Sequence, residues 1–146
     1  MNESLRAKEP LTLEFHNDLG ALAAARERVR DHLHENGVDD AAVYAVDLAI
    51  EELVSNTLRY GYERGVEGSI RVGLSIAPDK VRITIVDDAR PFDPTRHPEP
   101  APPSTLSHAP LGGRGISMVR RFVSAMHHRA TANGNRIEIE IARTRR

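Results

Sequence analysis

The chain has 146 residues and no cysteine: long enough for one domain with a proper core, and without disulfides, thiolate catalysis or cysteine metal sites. Apolar residues make up 40% and charged residues 28%, a globular balance, and a net charge of −1 supplies no global field for nucleic acid or anionic lipid. No apolar run approaches the ~20 residues that span a bilayer, and MNESLRAKEP lacks the apolar stretch of a secretion signal, so a cytoplasmic protein without membrane association is expected.

Leu11 to Phe15 alternates and predicts a short strand. Asn17 or Asp18 caps a helix from about Leu19 to Glu35, with Leu22, Ala25, Val29 and Leu33 as its stripe and Asn36-Gly37 as its stop. His32 and His34 do not share a helix face and are expected at the surface. A longer helix is predicted between Asp39 and Tyr62, capped by Asp39 or Asp40. Gly61 follows its last periodic residue, where a left-handed exit is common.

Val43, Val46, Ile50, Leu53, Val54 and Thr57 give that helix an apolar face. Glu52 and Asn56 lie one turn apart, roughly opposite it, beside Leu48 and Ala49; Glu51 turns toward Asp47. A carboxylate and a carboxamide are thus presented together. The first can act as a base, and the amide oxygen of the second is a hard ligand suited to Mg²⁺. Taken alone, the pair is also an ordinary helix-surface contact.

Gly65 to Gly68 reads as a turn, and Ser69 to Ile76 and Val81 to Val86 then alternate strictly around Pro78-Asp79-Lys80. They predict an antiparallel hairpin with one buried face, leaving Arg71, Arg82 and Thr84 on the wet or partner-facing side. Asp87 comes at the strand end. Buried there, it could accept from the exocyclic amine of a base; the alternative is a loop cap or a pair with Arg90. Residues 94–110 are proline-rich and aperiodic, a functional or disordered loop.

Leu111-Gly112-Gly113-Arg114-Gly115 ends the loop, and a helix with the stripe Ile116, Val119, Phe122, Val123 and Met126 is expected to follow. The glycines let backbone N–H groups approach an anion at a helix N-terminus, with Arg114 and Arg120 adding charge; a flexible hinge is the other reading. Neither a Walker A loop nor a Rossmann fingerprint is present. Two last strands, about His127 to Thr131 and Arg136 to Ala142, flank a turn over Ala132 to Asn135. His127 and His128 fall on opposite strand faces and make a poor joint metal site. The basic end ARTRR reads as a solvated tail. The order β-α-α-β-β-loop-α-β-β predicts an α+β fold: a two-layer α/β sandwich with a mostly antiparallel sheet, one domain over 1–146.

Three pieces of this sequence, in this order, resemble the boxes of the GHKL (Bergerat-fold) ATP-binding family, which includes gyrase, heat-shock chaperone, MutL and histidine-kinase ATPases. E-x-x-x-N matches Glu52 to Asn56, D-x-G-x-x-F-D matches Asp87 to Asp93, and G-x-G matches Gly113-Arg114-Gly115. More closely, the chain resembles the stand-alone anti-sigma-factor serine/threonine kinases of the RsbW and SpoIIAB type. The resemblance covers roughly Asp39 to Ile141. It implies ATP and Mg²⁺ as cofactors, Asn56 as the Mg²⁺ ligand, Glu52 as the general base and Asp87 as the receptor of the adenine amine. Residues 94–111 would be the ATP lid, and Gly112, Gly113, Arg114 and Gly115 would surround the phosphates.

Some positions depart from the family pattern. Ala89 stands where the Asp box has its first glycine, so a methyl lies at the adenine edge. Leu111 stands where some of these kinases carry arginine, Tyr60 where relatives often have histidine, and Gly134-Asn135-Arg136 where a threonine is common. The resemblance further implies phosphorylation of a STAS-domain anti-anti-sigma partner, sequestration of a sigma factor and a homodimer, with no direct nucleic-acid contact. The alternative is a non-catalytic, nucleotide-gated binding regulator. The catalytic domain of a two-component histidine kinase fits less well, because only 38 residues precede the central helix, too few for a dimerisation hairpin.

Overall fold

The computed structural model describes residues 10–96 and 111–144, with the backbone alone at 111–114. Five strands form one sheet: β1 (Leu11–His16), β2 (Ser69–Ile76), β3 (Lys80–Asp87), β4 (Ala125–Ala130) and β5 (Asn135–Ala142). Their spatial order is β1-β2-β3-β5-β4, and every neighbouring pair is antiparallel. Three helices, α1 (Leu19–Glu35), α2 (Asp40–Tyr60) and α3 (Leu111–Phe122), cover one face. The α+β two-layer sandwich expected from the alternating strands is the architecture found.

Alternation decides which side of the sheet is buried. Val81, Ile83 and Ile85 of β3 and Ile137, Ile139 and Ile141 of β5 all point to the helical layer and are buried. Val43, Val46, Ile50, Leu53 and Val54 of α2 meet them, so the central helix lies across the central strands. The other sheet face carries exposed Arg71 and Arg82 and half-buried Thr84, as the alternation requires.

Capping sets the helix starts. The side chain of Asp18 accepts from Ala21 N–H at 2.7 Å, and that of Asp39 from Ala42 N–H at 3.1 Å. Asn17 instead ties the chain to the turn before β2, through Val66 and Gly68. On the outer flank of α2, Asp47 and Glu51 hold Arg26 of α1, each at 2.9 Å.

Several details differ from the sequence reading. Gly61 leaves α2 in a right-handed conformation (φ −88°), not a left-handed one. A Cβ there would come within 2.7 Å of both the Ala89 methyl and the Thr57 carbonyl, so close packing is what calls for glycine. α3 starts at Leu111, so the glycine run forms its first turn instead of preceding it. It ends at Phe122; Val123 lies beyond it and Met126 belongs to β4. Phe122 is exposed, edge-on to Tyr44 with ring centroids 6.2 Å apart, and is no core residue.

β4 starts two residues earlier than expected, because Ala125 already pairs with Glu140. His32 is half-buried, its Nε2 without a hydrogen-bond partner among the described residues, whereas His34 is at the surface as expected. The basic end is docked as far as Thr144. Arg143 donates to the carbonyl of Ala77 at 2.7 Å, and the N–H of Thr144 donates to Asp39 at 2.9 Å.

Candidate functional site

The sheet core stops short at one end, and the site begins there. On β3 the inward parity runs Val81, Ile83, Ile85 and then Asp87; on β5 it runs back from Ile141 through Ile137 to Asn135. Asp87 and Asn135 are register partners. Two polar side chains therefore occupy positions whose parity buries them, at 5% and 3% exposure. Such burial is stable only if the polar groups are satisfied.

Asp87 Oδ1 accepts from Ala89 N–H at 3.0 Å and from Asn135 Nδ2 at 2.9 Å. Among the described residues both hydrogen bonds go to that oxygen. Oδ2 is left to the pocket that Asp87 lines. Burial raises the Asp87 carboxyl above the ordinary carboxylate range, and the bonds from Asn135 and Ala89 oppose it.

The pocket has a volume of about 240 Å³. One wall is a single face of α2, presenting Leu53, Asn56, Thr57 and Tyr60 at helical spacing, so Asn56 borders the apolar face and does not lie opposite it as the sequence reading had it. Asn56 is 8% exposed, lines the pocket, and its carboxamide takes no hydrogen bond among the described residues. The opposite wall is the strap from Ala89 to Phe92. It is laced on both sides: Arg90 N–H donates to the Gly61 carbonyl at 2.9 Å, and Phe92 N–H to Asn135 Oδ1 at 2.9 Å. Ala89 is buried with its methyl against Gly61, so the alanine is accommodated by the missing Cβ of its neighbour.

Glu52 sits one turn before Asn56 and is half-buried, but it does not line this pocket. Its carboxylate packs against Gly115 of α3, where any Cβ would overlap it. Thus Asn56, Asp87 and Ala89 share one pocket, while Glu52 and Gly115 meet beside it. Gly112, Gly113 and Arg114 contribute the backbone of the first turn of α3, whose leading N–H groups have no acceptor within the helix. The Arg114 side chain, and 97–110 of the segment expected to be the lid, lie outside what is described. Residues 94–96 form a short 3-10 turn.

The donor set suits a nucleotide–Mg²⁺ pair. Among the described residues no cluster of three His, Asp or Glu side chains could hold a metal by itself. A lone amide oxygen matches an ion that takes its other ligands from phosphate and water. Asn56 offers such an oxygen, buried and uncommitted.

Two residues of the site were not singled out from the sequence. Asn135 reads as part of a turn that stands where the family often has a threonine, and His128 as half of a poor metal pair. The side chain of His128, on the inward face of β4, is 8% exposed; its Nε2 lies 2.8 Å from Asn135 Oδ1 and its Nδ1 3.8 Å from Asp93. The available signal was parity: extending the apolar alternation of β5 back by one step puts Asn135 on the buried side.

Comparison with known proteins gives matching results. Residues 15–141 match the family described as the histidine kinase-like ATPase domain. Over 96 residues the chain is 23% identical to the serine/threonine-protein kinase BtrW of Bordetella bronchiseptica, covering 66% of this chain and 68% of that protein. Its fold is similar to the crystal structure of the RsbU and RsbW domains of Rv1364c from Mycobacterium tuberculosis, with a TM-score of 0.65 and 21% identity. That match covers 95% of this chain and 34% of the other, so the chain spans about a third of the solved protein.

Proposed function

Because this chain belongs to the histidine kinase-like ATPase family, we propose that it is an ATP-dependent serine/threonine protein kinase acting on a small STAS-domain anti-anti-sigma partner. On this reading it is a cytoplasmic homodimer that also sequesters a sigma factor and touches no nucleic acid. The observation that carries the nucleotide site is the pairing, in one pocket, of buried and uncommitted Asn56 with the free oxygen of buried Asp87. No helix among the described residues is long and apolar enough to cross a membrane.

The roles proposed are those the family resemblance implies. Asp87 Oδ2 accepts from the adenine amine while Leu53, Ala89 and Ile137 pack around the base. Asn56 Oδ1 would hold Mg²⁺, which when bound neutralises phosphate oxygens. The open N–H groups of the first turn of α3 receive phosphate charge at a positive helix end. Glu52 takes the proton of the attacking hydroxyl as that oxygen bonds to the γ-phosphorus and the bond to the ADP oxygen breaks.

The test is calorimetry of Mg²⁺·ATP on wild type and Asn56→Ala, followed by phosphotransfer to STAS proteins by wild type and Glu52→Ala. Mg²⁺-dependent binding lost in Asn56→Ala, and phosphotransfer lost in Glu52→Ala with binding kept, are expected. Normal phosphorylation by Glu52→Ala would remove the base assignment. A second reading, a nucleotide-gated binder without catalysis, is favoured by one observation: Glu52 rests against Gly115 and outside the pocket wall. Partner capture that responds to ATP, with no phosphotransfer by wild type, would select it.

A further inference from the structure

Several polar groups converge on one carboxamide at the start of β5. Asn135 Nδ2 donates to Asp87 Oδ1 at 2.9 Å and to the Arg90 carbonyl at 3.0 Å. Asn135 Oδ1 accepts from Phe92 N–H at 2.9 Å and lies 2.8 Å from His128 Nε2. A backbone N–H can only donate, so Phe92 settles which end of the amide is oxygen. That oxygen has no proton to give. His128 Nε2 must therefore carry the hydrogen that fills the contact. The His128 side chain is 8% exposed, so bulk water is a poor substitute for this partner.

We infer that His128 is a positioning residue for base recognition: through Asn135 it keeps Asp87 Oδ1 occupied and so presents Asp87 Oδ2 to the 6-amino group of a purine. The inference rests on the proposal that this pocket takes the adenine of ATP. His128 does not line the pocket, so it acts through the amide of Asn135 and not by touching the nucleotide. Without the imidazole donor, one lone pair of the buried Asn135 Oδ1 is left unfilled, and the amide is held only by Phe92 N–H, the Arg90 carbonyl and Asp87. Asp87 is then less firmly oriented, and it tells a 6-amino purine less sharply from a 6-oxo purine, whose carbonyl oxygen repels the same carboxylate.

The full chain is tested by calorimetry with Mg²⁺·ATP and Mg²⁺·ITP on wild type, His128→Leu and His128→Gln. The preference for ATP over ITP is expected to fall by about tenfold in His128→Leu, the loss of one hydrogen bond in a charged network. It is expected to recover in His128→Gln, whose amide N–H can reach the same oxygen. If His128→Leu weakens both nucleotides alike and leaves the ratio unchanged, His128 only packs and the inference is overturned. A wild type that binds neither nucleotide sinks the nucleotide-site proposal, and the inference with it. A wild type that prefers ATP while both variants keep that preference sinks the inference alone. Nitrogen-15 NMR of the wild-type imidazole needs no variant to fold: a proton on Nε2 supports the inference, and an Nε2 without a proton overturns it.

Discussion

Gly115 and Glu52 show how little room the proposed chemistry leaves at a single atom. A Cβ on Gly115 would overlap the Glu52 carboxylate, but that carboxylate is the far end of a flexible side chain and can swing away. Gly115→Ala is therefore expected to fold, with a melting shift of no more than about 4 °C, corresponding to about 1 kcal/mol. It should lower phosphotransfer by about tenfold or more through misplacement of the base. Steady-state kinetics beside ATP calorimetry separate the two effects, and an unchanged rate removes Glu52 from the mechanism. Asp87 carries a different kind of cost. Its carboxyl is raised mainly by burial, so the folded chain holds that proton more tightly than the unfolded chain. Stability is then lost as pH climbs from the ordinary Asp value of 3.8 through the raised folded value, and the loss persists at neutral pH. Asp87→Asn removes the charge and keeps an oxygen for Ala89 and Asn135. It is expected to melt higher than wild type at pH 7, to lose that advantage in acid, and to bind no ATP. A variant that melts lower at pH 7 would show that the carboxylate is a net stabiliser.

The elements that periodicity could reveal are the ones the structure contains. α1 runs from Leu19 to Glu35 as its stripe and caps require, and β2 and β3 alternate as written. The misplaced details depend on partners far away in the chain. Gly61 was legible as a helix end, but not as the floor beneath Ala89, which lies 28 residues further on. Ala89 looked like an obstruction in a glycine box, yet its methyl occupies space that Gly61 leaves empty. That pairing is testable. Gly61→Ala is expected to cost about 1–3 kcal/mol by overpacking, measured by urea unfolding. Gly61→Ala/Ala89→Gly should recover part of it, the Thr57 carbonyl accounting for the rest. Strict additivity of the two single changes would mean that the methyls do not meet. The start of β4 and the exposure of Phe122 were hidden for the same reason. Neither follows from the local pattern, only from which strand Ala125 pairs with and what Phe122 meets on α2.

Across the whole molecule, the local boxes were legible and the brace behind them was not. Glu52 and Asn56 are one turn apart, so any helical reading brings them together. The hydrogen bond between Asn135 and Asp87 joins positions 48 residues apart and exists only because β5 pairs with β3 in one register. That pairing has a consequence for biosynthesis. β1, β2, β3, α1 and α2 all lie before residue 88 and contact one another, so they can begin to assemble while the remainder is still being translated. Asp87 waits at the open edge of that half-sheet, a carboxylate without its asparagine. The pocket is completed by the strand the ribosome delivers last among those described, so on the proposed reading a nucleotide would bind only after the sheet is finished, and bound ATP would report a completed fold.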